Sequence, residues 1–332
     1  MSPKPPRPTP AERMEMAQLL QAPAERDLTG RRHQLLKDCL MREIQHASAA
    51  TAAPRSRPSR KWALTAAPLA AGAIALGLLV GGGGAQVPAD NQAETAPASM
   101  LLDRIATVAA SKTAPVVGDD QYIRITSTVA YSRQTDQGPV MRLGKLHQRQ
   151  VWLSADGSRH GLLRERGEEC RLEAQRADPG TEPSLNAPTH RYLESLPTSP
   201  DTLLKKIYDE TKGGGSGPDQ EAFVTIGDLL REQFTPPKIS AALYKAAAKI
   251  PGVTVVNDAA DAAGRHGVAI ARAHNGERTE WIFDTRTLEF LGERSVMLKD
   301  TAWAKKNQIT ATTAVLDRTV TNKPGQTASR SS

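Results

Sequence analysis

The stretch Trp62–Val80 (WALTAAPLAAGAIALGLLV) constrains this chain more than any other part of it. No charged residue lies between Lys61 and Asp90, and Arg55, Arg57, Arg60 and Lys61 stand immediately before the run. About 20 helical residues rising roughly 1.5 Å each cross the ~30 Å apolar core of a bilayer. The stretch therefore predicts a single transmembrane helix at 62–81. The basic flank puts residues 1–61 in the cytoplasm and the C-terminal domain outside the cell. A buried core helix is a competing reading, but Pro/Ser/Arg-rich sequence precedes the run and Gly81–Gly84 follow it, so no domain surrounds it. A cleaved signal peptide is another. Signal peptides have short basic leaders and shorter apolar cores than this one, so an uncleaved anchor is favoured.

Charge follows the same division. Of 43 Lys/Arg and 36 Asp/Glu, residues 1–61 hold 12 and 6, and the rest of the chain 31 and 30. The positive excess belongs to the arm, where it faces anionic lipids. The near-neutral remainder has no basic footprint for nucleic acid. The two cysteines fall on opposite sides of the expected membrane, Cys39 inside and Cys170 outside. The topology excludes a bond between them and leaves Cys170 as a lone thiol or a site of intermolecular pairing.

The arm (1–61) starts Pro-rich and then carries short amphipathic helices. Leu35, Leu36, Cys39, Leu40 and Ile44 share one helical face, so residues 28–46 suit either juxtamembrane structure or the groove of a cytoplasmic partner. Residues 82–99 read as a Gly/Ala/Pro tether. The folded domain is expected over 100–305. A helix opens it at Met100, and Gln121–Tyr131 alternates as a half-buried strand. Further strands are expected over 145–154 and 159–166, around a turn at Asp156-Gly157. A Pro-punctuated loop fills 174–200. Three helices follow, over 201–212, 219–233 and after Pro236-Pro237, the last stopping at Pro251-Gly252. Strands at 253–256, 267–272 and 278–283, with an Asn275-Gly276 hairpin turn, lead to a last strand at 288–298. Residues 306–332, rich in Thr and Ser, read as a disordered tail. The expected fold class is α+β, an antiparallel sheet with about three helices against it, preceded by a transmembrane helix and a short helical cytoplasmic arm.

No catalytic, cofactor-binding or metal-binding residues can be assigned. His147, His160, His190, His266 and His274 lack compact metal spacing, although His147 and His160 can approach across the Asp156-Gly157 hairpin. Gly213–Gly217 (GGGSG) lacks the Lys-Ser/Thr of a phosphate loop. No nucleophile elbow or Ser-x-x-Lys occurs, and Glu168-Glu169 point to opposite faces of a strand. Trp152, Trp281, Phe283, Phe290 and Trp303 read as sheet core. The sheet face near Trp152, Trp281 and Phe290 is the place to look for a pocket.

The segments QYIRITSTVAYS, RQVWLSADGSRHGLLRE, YLESLPTSPDTLLKKIYDET, AFVTIGDLLRE, ALYKAAAKIPGV and WIFDTRTLEFLGERSV together resemble an uncharacterised family of actinobacterial single-pass membrane proteins of unknown function. The resemblance covers roughly residues 100–300. Its layout is similar to that of membrane-tethered anti-sigma regulators, which implies a sigma factor as partner for residues 28–46. The His-x-x-x-Cys-x-x-Cys motif of zinc anti-sigma domains is absent, since His33 and Cys39 have other spacing. The strand–helix order is also faintly similar to lipoprotein-carrier sheets. The expected function is a non-enzymatic, bilayer-anchored sensor or binding domain without cofactor, an anti-sigma-like regulator. The alternative is a tethered envelope carrier or structural module that binds a lipid or a partner protein.

Overall fold

The computed structural model describes residues 97–135, 138–175, 182–214 and 217–326. Ten strands form one antiparallel sheet: β1 (Tyr122–Thr135), β2 (Gly138–Leu143), β3 (His147–Ser154), β4 (Gly161–Glu165), β5 (Glu168–Leu172), β6 (Val253–Ala260), β7 (His266–His274), β8 (Glu277–Phe283), β9 (Phe290–Met297) and β10 (Ile309–Thr321). The spatial order is β5-β4-β3-β1-β10-β9-β8-β7-β6, with β2 paired to β1. Among the described residues five helices accompany it: α1 (Ala98–Ser111), α2 (His190–Glu194), α3 (Pro200–Glu210), α4 (Pro218–Arg231) and α5 (Pro237–Ala247).

Local chemistry explains most boundaries. Helices α3, α4 and α5 each begin on a proline, whose fixed φ suits the first helical position and whose missing N–H costs nothing there. The β7–β8 hairpin turns through Asn275 (φ 49°) and Gly276 (φ 83°), and β4–β5 turns through Arg166 (φ 55°) and Gly167 (φ 84°). Two consecutive residues at positive φ are what a two-residue hairpin of the right twist requires.

The helices bury their apolar faces against one side of β7 and β8. Leu102 and Ile105 of α1, Phe223 and Ile226 of α4, and Leu243 of α5 share a core with Ile270, Trp281 and Phe283. Phe223 stacks on Trp281 at 3.9 Å between ring centroids, with the planes 5° apart. Gly227 permits that approach, because a Cβ there would stand 2.5 Å from Trp281 Nε1. Ile123, Ile125, Val151, Leu153 and Val315 extend the apolar layer beneath β1, β3 and β10. Buried ion pairs stitch α4 to the sheet. Arg231 reaches Glu293 and Asp228 at 2.5 Å and Glu232 at 3.1 Å, and Arg149 reaches Glu232 at 2.7 Å. Burial alone lowers the pKa of both guanidiniums, but the surrounding carboxylates outweigh it and hold them above the usual arginine value.

These observations correct the expected fold class. The sheet dominates, and the helices are five short segments rather than a block of about three. No helix among the described residues is long and apolar enough to cross a membrane, which overturns the single-pass, transmembrane and anti-sigma-like description for this part of the chain. The expected arm at 1–61, the span at 62–81 and most of the tether at 82–99 lie outside the described residues, as does the partner segment 28–46. The tether nonetheless ends early, since α1 begins at Ala98.

The largest correction concerns the expected disordered tail. Residues 309–321 form β10, which sits between β1 and β9 and joins the two halves of the sheet. Residues Thr310, Thr312, Thr313 and Thr321 are buried there. Their hydroxyls made the segment read as polar, whereas threonine's branched Cβ favours a strand with neighbours on both faces. Cys170 is disulfide-bonded, where the sequence reading favours a lone thiol.

If β10 closes the sheet, a chain ending at Gln308 should lose the cooperative urea transition followed by tryptophan fluorescence. A native-like midpoint in that truncation would show β10 to be dispensable.

Candidate functional site

A cavity of about 450 Å³ opens between the helical layer and the centre of the sheet. Its walls come from the C-terminal end of α1, the α4–α5 connection, the side of α5, the start of β9 and residues 315–318 of β10. That volume falls within the range of small-molecule pockets, about 300–1,000 Å³.

The backbone opens the cavity at this place. The β9–β10 ladder runs from Val296↔Ile309 to Gly292↔Ala314 and goes no further. On the other side, β1 pairs Thr126 with Asp317 but Ser127 with Val315, so Leu316 is an extra residue in β10. Such a bulge bends a strand and breaks pairing locally. The carbonyls of Leu291 and Val315, beyond the end of the ladder, accept from Arg265 Nη2 at 2.9 and 3.0 Å. Arg265 is itself held by Asp261 at 2.6 Å. Leu288, on the cavity wall, has φ 56°, a left-handed conformation that costs a branched side chain about 1–2 kcal/mol. Asp284 holds the turn by accepting from the N–H groups of Arg286 at 2.9 Å and Thr287 at 2.7 Å.

The lining is mixed: Leu230, Phe234, Leu288, Phe290 and Val315 form an apolar wall, while polar groups supply the larger share of the surface. Phe283 joins Tyr244 to Phe290 through two edge-on contacts, each 5.6 Å between centroids. Three polar groups are set among these side chains. Gln233 is 2% exposed, and its side-chain nitrogen has no hydrogen-bond partner. Tyr244 is 5% exposed, and burial raises the pKa of its phenol, so the group is a neutral hydroxyl. Arg318 donates from Nε to the Gln233 carbonyl at 3.0 Å and from Nη2 to the Leu230 carbonyl at 2.5 Å. Its guanidinium lies 5.9 Å from the Phe290 centroid. Burial lowers its pKa, and Tyr244, Glu232 and Asp317 only partly oppose that.

The other charges at the cavity are paired. Lys112 holds Glu289 at 2.6 Å, and Asp317 meets Arg124 at 3.3 Å. Ser240 Oγ donates to the Thr235 carbonyl at 3.2 Å. The arrangement offers hydrogen-bond donors to a molecule with an apolar body. It does not set Ser240 against a base.

The sheet region singled out in the sequence is divided by the fold. Phe290 lines the cavity. Trp281 is sealed beneath Phe223. Trp152 is paired in register with Arg124, between Val151 and Leu153 of the apolar layer, so strand alternation puts it on the opposite face. There Arg124 and Arg164 lie 5.8 and 5.2 Å from its ring, and its Nε1 donates to the Gln326 carbonyl at 3.0 Å. His147 and His160 do not join. The first meets Glu165 at 2.6 Å and the second Glu173 at 3.2 Å. Among the described residues no group of three or more His, Cys, Asp or Glu is placed to hold a metal. Gln233, Tyr244 and Arg318 were not singled out, because they share no motif. An arginine inside a Thr/Val-rich strand is the one trace they leave in the sequence.

No protein-family model matches the chain, and no curated protein is similar to it.

Phe234 is fixed on the cavity wall by His190, whose Nδ1 lies 3.1 Å from the Phe234 carbonyl. Burial lowers the His190 pKa below 6.5, against a raising effect of Glu194 and with a smaller lowering effect of Arg191. As pH falls through the ordinary histidine value, the unfolded chain takes a proton that the folded chain resists, so stability falls. Urea midpoints measured at about pH 7.5 and about pH 5.5 should therefore differ more in the native chain than in His190→Asn, which keeps a donor for Phe234 without the titration.

Proposed function

We propose that this domain is a binding domain for a small amphipathic molecule, serving as a sensor or receptor module rather than an enzyme. The observation that carries the reading is the cavity at the centre of the sheet, where an apolar wall stands beside a larger polar surface that includes hydrogen-bond donors. Small-ligand sites combine apolar walls with placed polar groups, and this one does so with a polar balance that suits an amphipathic molecule. The cavity also touches α1, the α4–α5 connection, β9 and β10 together. A ligand there contacts both layers of the domain at once. Occupancy at 100 times the dissociation constant stabilises the bound form by about 2.7 kcal/mol, which gives a sensor a means of changing the domain's rigidity. A carrier in the cell envelope uses the same cavity, and what separates the two roles is whether the ligand is handed on.

The test is titration of the full chain with the neutral fluorophore N-phenyl-1-naphthylamine. Saturable, one-to-one fluorescence enhancement is expected, and Ser240→Phe, which fills the cavity from α5, should abolish it while the unfolding free energy from urea titration stays within about 1 kcal/mol of native. Binding that is unchanged in Ser240→Phe would place the probe elsewhere, for instance on the apolar stretch 62–80, and the proposal would fail.

A further inference from the structure

We infer that the ligand of this cavity carries a carboxylate head, which sits at Gln233, Tyr244 and Arg318 with its apolar body along the Leu230–Phe290 wall. The inference rests on the binding-domain reading above and adds the chemical class of the ligand.

The first ground is Gln233. A buried donor without an acceptor costs about 1–3 kcal/mol, and buried polar groups are nearly always paired. Here Gln233 lines the cavity at 2% exposure, and its side-chain nitrogen is closed off from the open space and has no partner. A turn of the amide toward the cavity would give that donor the acceptor it lacks, a ligand oxygen.

The second ground is a comparison of the half-buried Arg318 with the protein's buried arginines. Arg124, Arg149, Arg231 and Arg294 each meet at least one carboxylate, at 3.3, 2.7, 2.5 and 2.5 Å respectively. Arg318 meets only the two carbonyls of Leu230 and Gln233. Those carbonyls lie at the C-terminal end of α4, where the helix dipole contributes roughly half a negative charge. That offsets part of the guanidinium charge, and Glu232 and Asp317 add a through-space share without pairing with it, so no carboxylate among the described residues is within ion-pair distance of Arg318. The nearby acids are already engaged, Glu289 with Lys112 and Asp317 with Arg124.

The third ground is Tyr244, whose neutral hydroxyl makes no hydrogen bond to any described residue and stands on the same cavity. Two neutral donors and one partly neutralised cation fit a single negative charge. A doubly charged phosphate fits less well, because the remaining cations on the wall, Lys112 and Arg265, are held by Glu289 and Asp261. Carboxylate hydrogen bonds to such donors are the stronger, charge-assisted kind.

The experiment measures displacement of N-phenyl-1-naphthylamine from the full chain by decanoate, 1-decanol and decyl phosphate. Decanoate is expected to compete about tenfold or more better than 1-decanol. Gln233→Leu and Tyr244→Phe should each weaken decanoate several-fold while leaving 1-decanol unchanged. Gln233→Leu should also raise the melting temperature of the ligand-free chain, since it removes an unpartnered buried amide. Equal competition by decanoate and 1-decanol, or equal weakening of both by the substitutions, would overturn the carboxylate assignment and leave the cavity reading intact. Tighter competition by decyl phosphate than by decanoate would also overturn it. Loss of saturable fluorophore binding from the native chain defeats the cavity reading instead, so the two failures are distinguishable.

Discussion

The pairing of β10 with β1 and β9 is the interaction on which the rest of the structure depends. Strands β1–β5 form one antiparallel group and β6–β9 an antiparallel meander, separated in sequence by the helices α2–α5. Among the described strands, β10 alone joins the two in the hydrogen-bonded order. Gly292 shows how close that union is. A Cβ on it would stand 2.0 Å from the Thr313 carbonyl, so the β9–β10 contact requires a residue without a side chain. Over Thr312–Val315 every residue of β10 is buried, so both faces of that stretch pack rather than face water.

The same strand creates the candidate site. An ideal ladder from Ile309 to Thr321 would close the sheet along its whole length and leave no room beneath the helices. The extra residue at Leu316 ends the regular pairing, exposes the Leu316 side chain at 45% and frees the Val315 carbonyl for Arg265. Two residues later Arg318 caps the end of α4 from the sheet side. The bulge at Leu316 and the arginine that lacks a paired carboxylate thus lie two residues apart, and Arg265 reaches the same stretch from just before β7. Irregular pairing and a left-handed Leu288 cost free energy. Their concentration around one cavity supports reading it as a site rather than as a packing defect.

Much of the architecture was legible in the chain because several local signals agreed. Prolines at the starts of α3, α4 and α5, the Asn275-Gly276 turn and the alternation of Ile123 and Ile125 each act through the backbone of their own segment. The parts that escaped notice depend on distant partners. The run ITATTAVLDRTVT has a polar composition and becomes core only because β1 and β9 flank it and both its faces are covered. Arg166-Gly167 makes the same turn as Asn275-Gly276, but its residue types advertise that less strongly, so the sequence places Glu168-Glu169 on a strand without giving β5 its bounds. Trp152 and Trp281 look alike as strand aromatics, and only the register of β1 with β3 shows that they face opposite ways. Gln233 and Arg318 belong to segments 85 residues apart and meet through a backbone carbonyl, a relation that no local pattern encodes.

The central claim is that three donors on the cavity wall await a carboxylate. A crystal structure of the full chain grown with decanoate tests it most directly. The account predicts density for the ligand inside the cavity, with a carboxylate oxygen within about 3.2 Å of Gln233 Nε2 and the head beside Arg318 and Tyr244. Decanoate bound elsewhere, or bound in the cavity with its head turned away from Gln233 toward solvent, would contradict it.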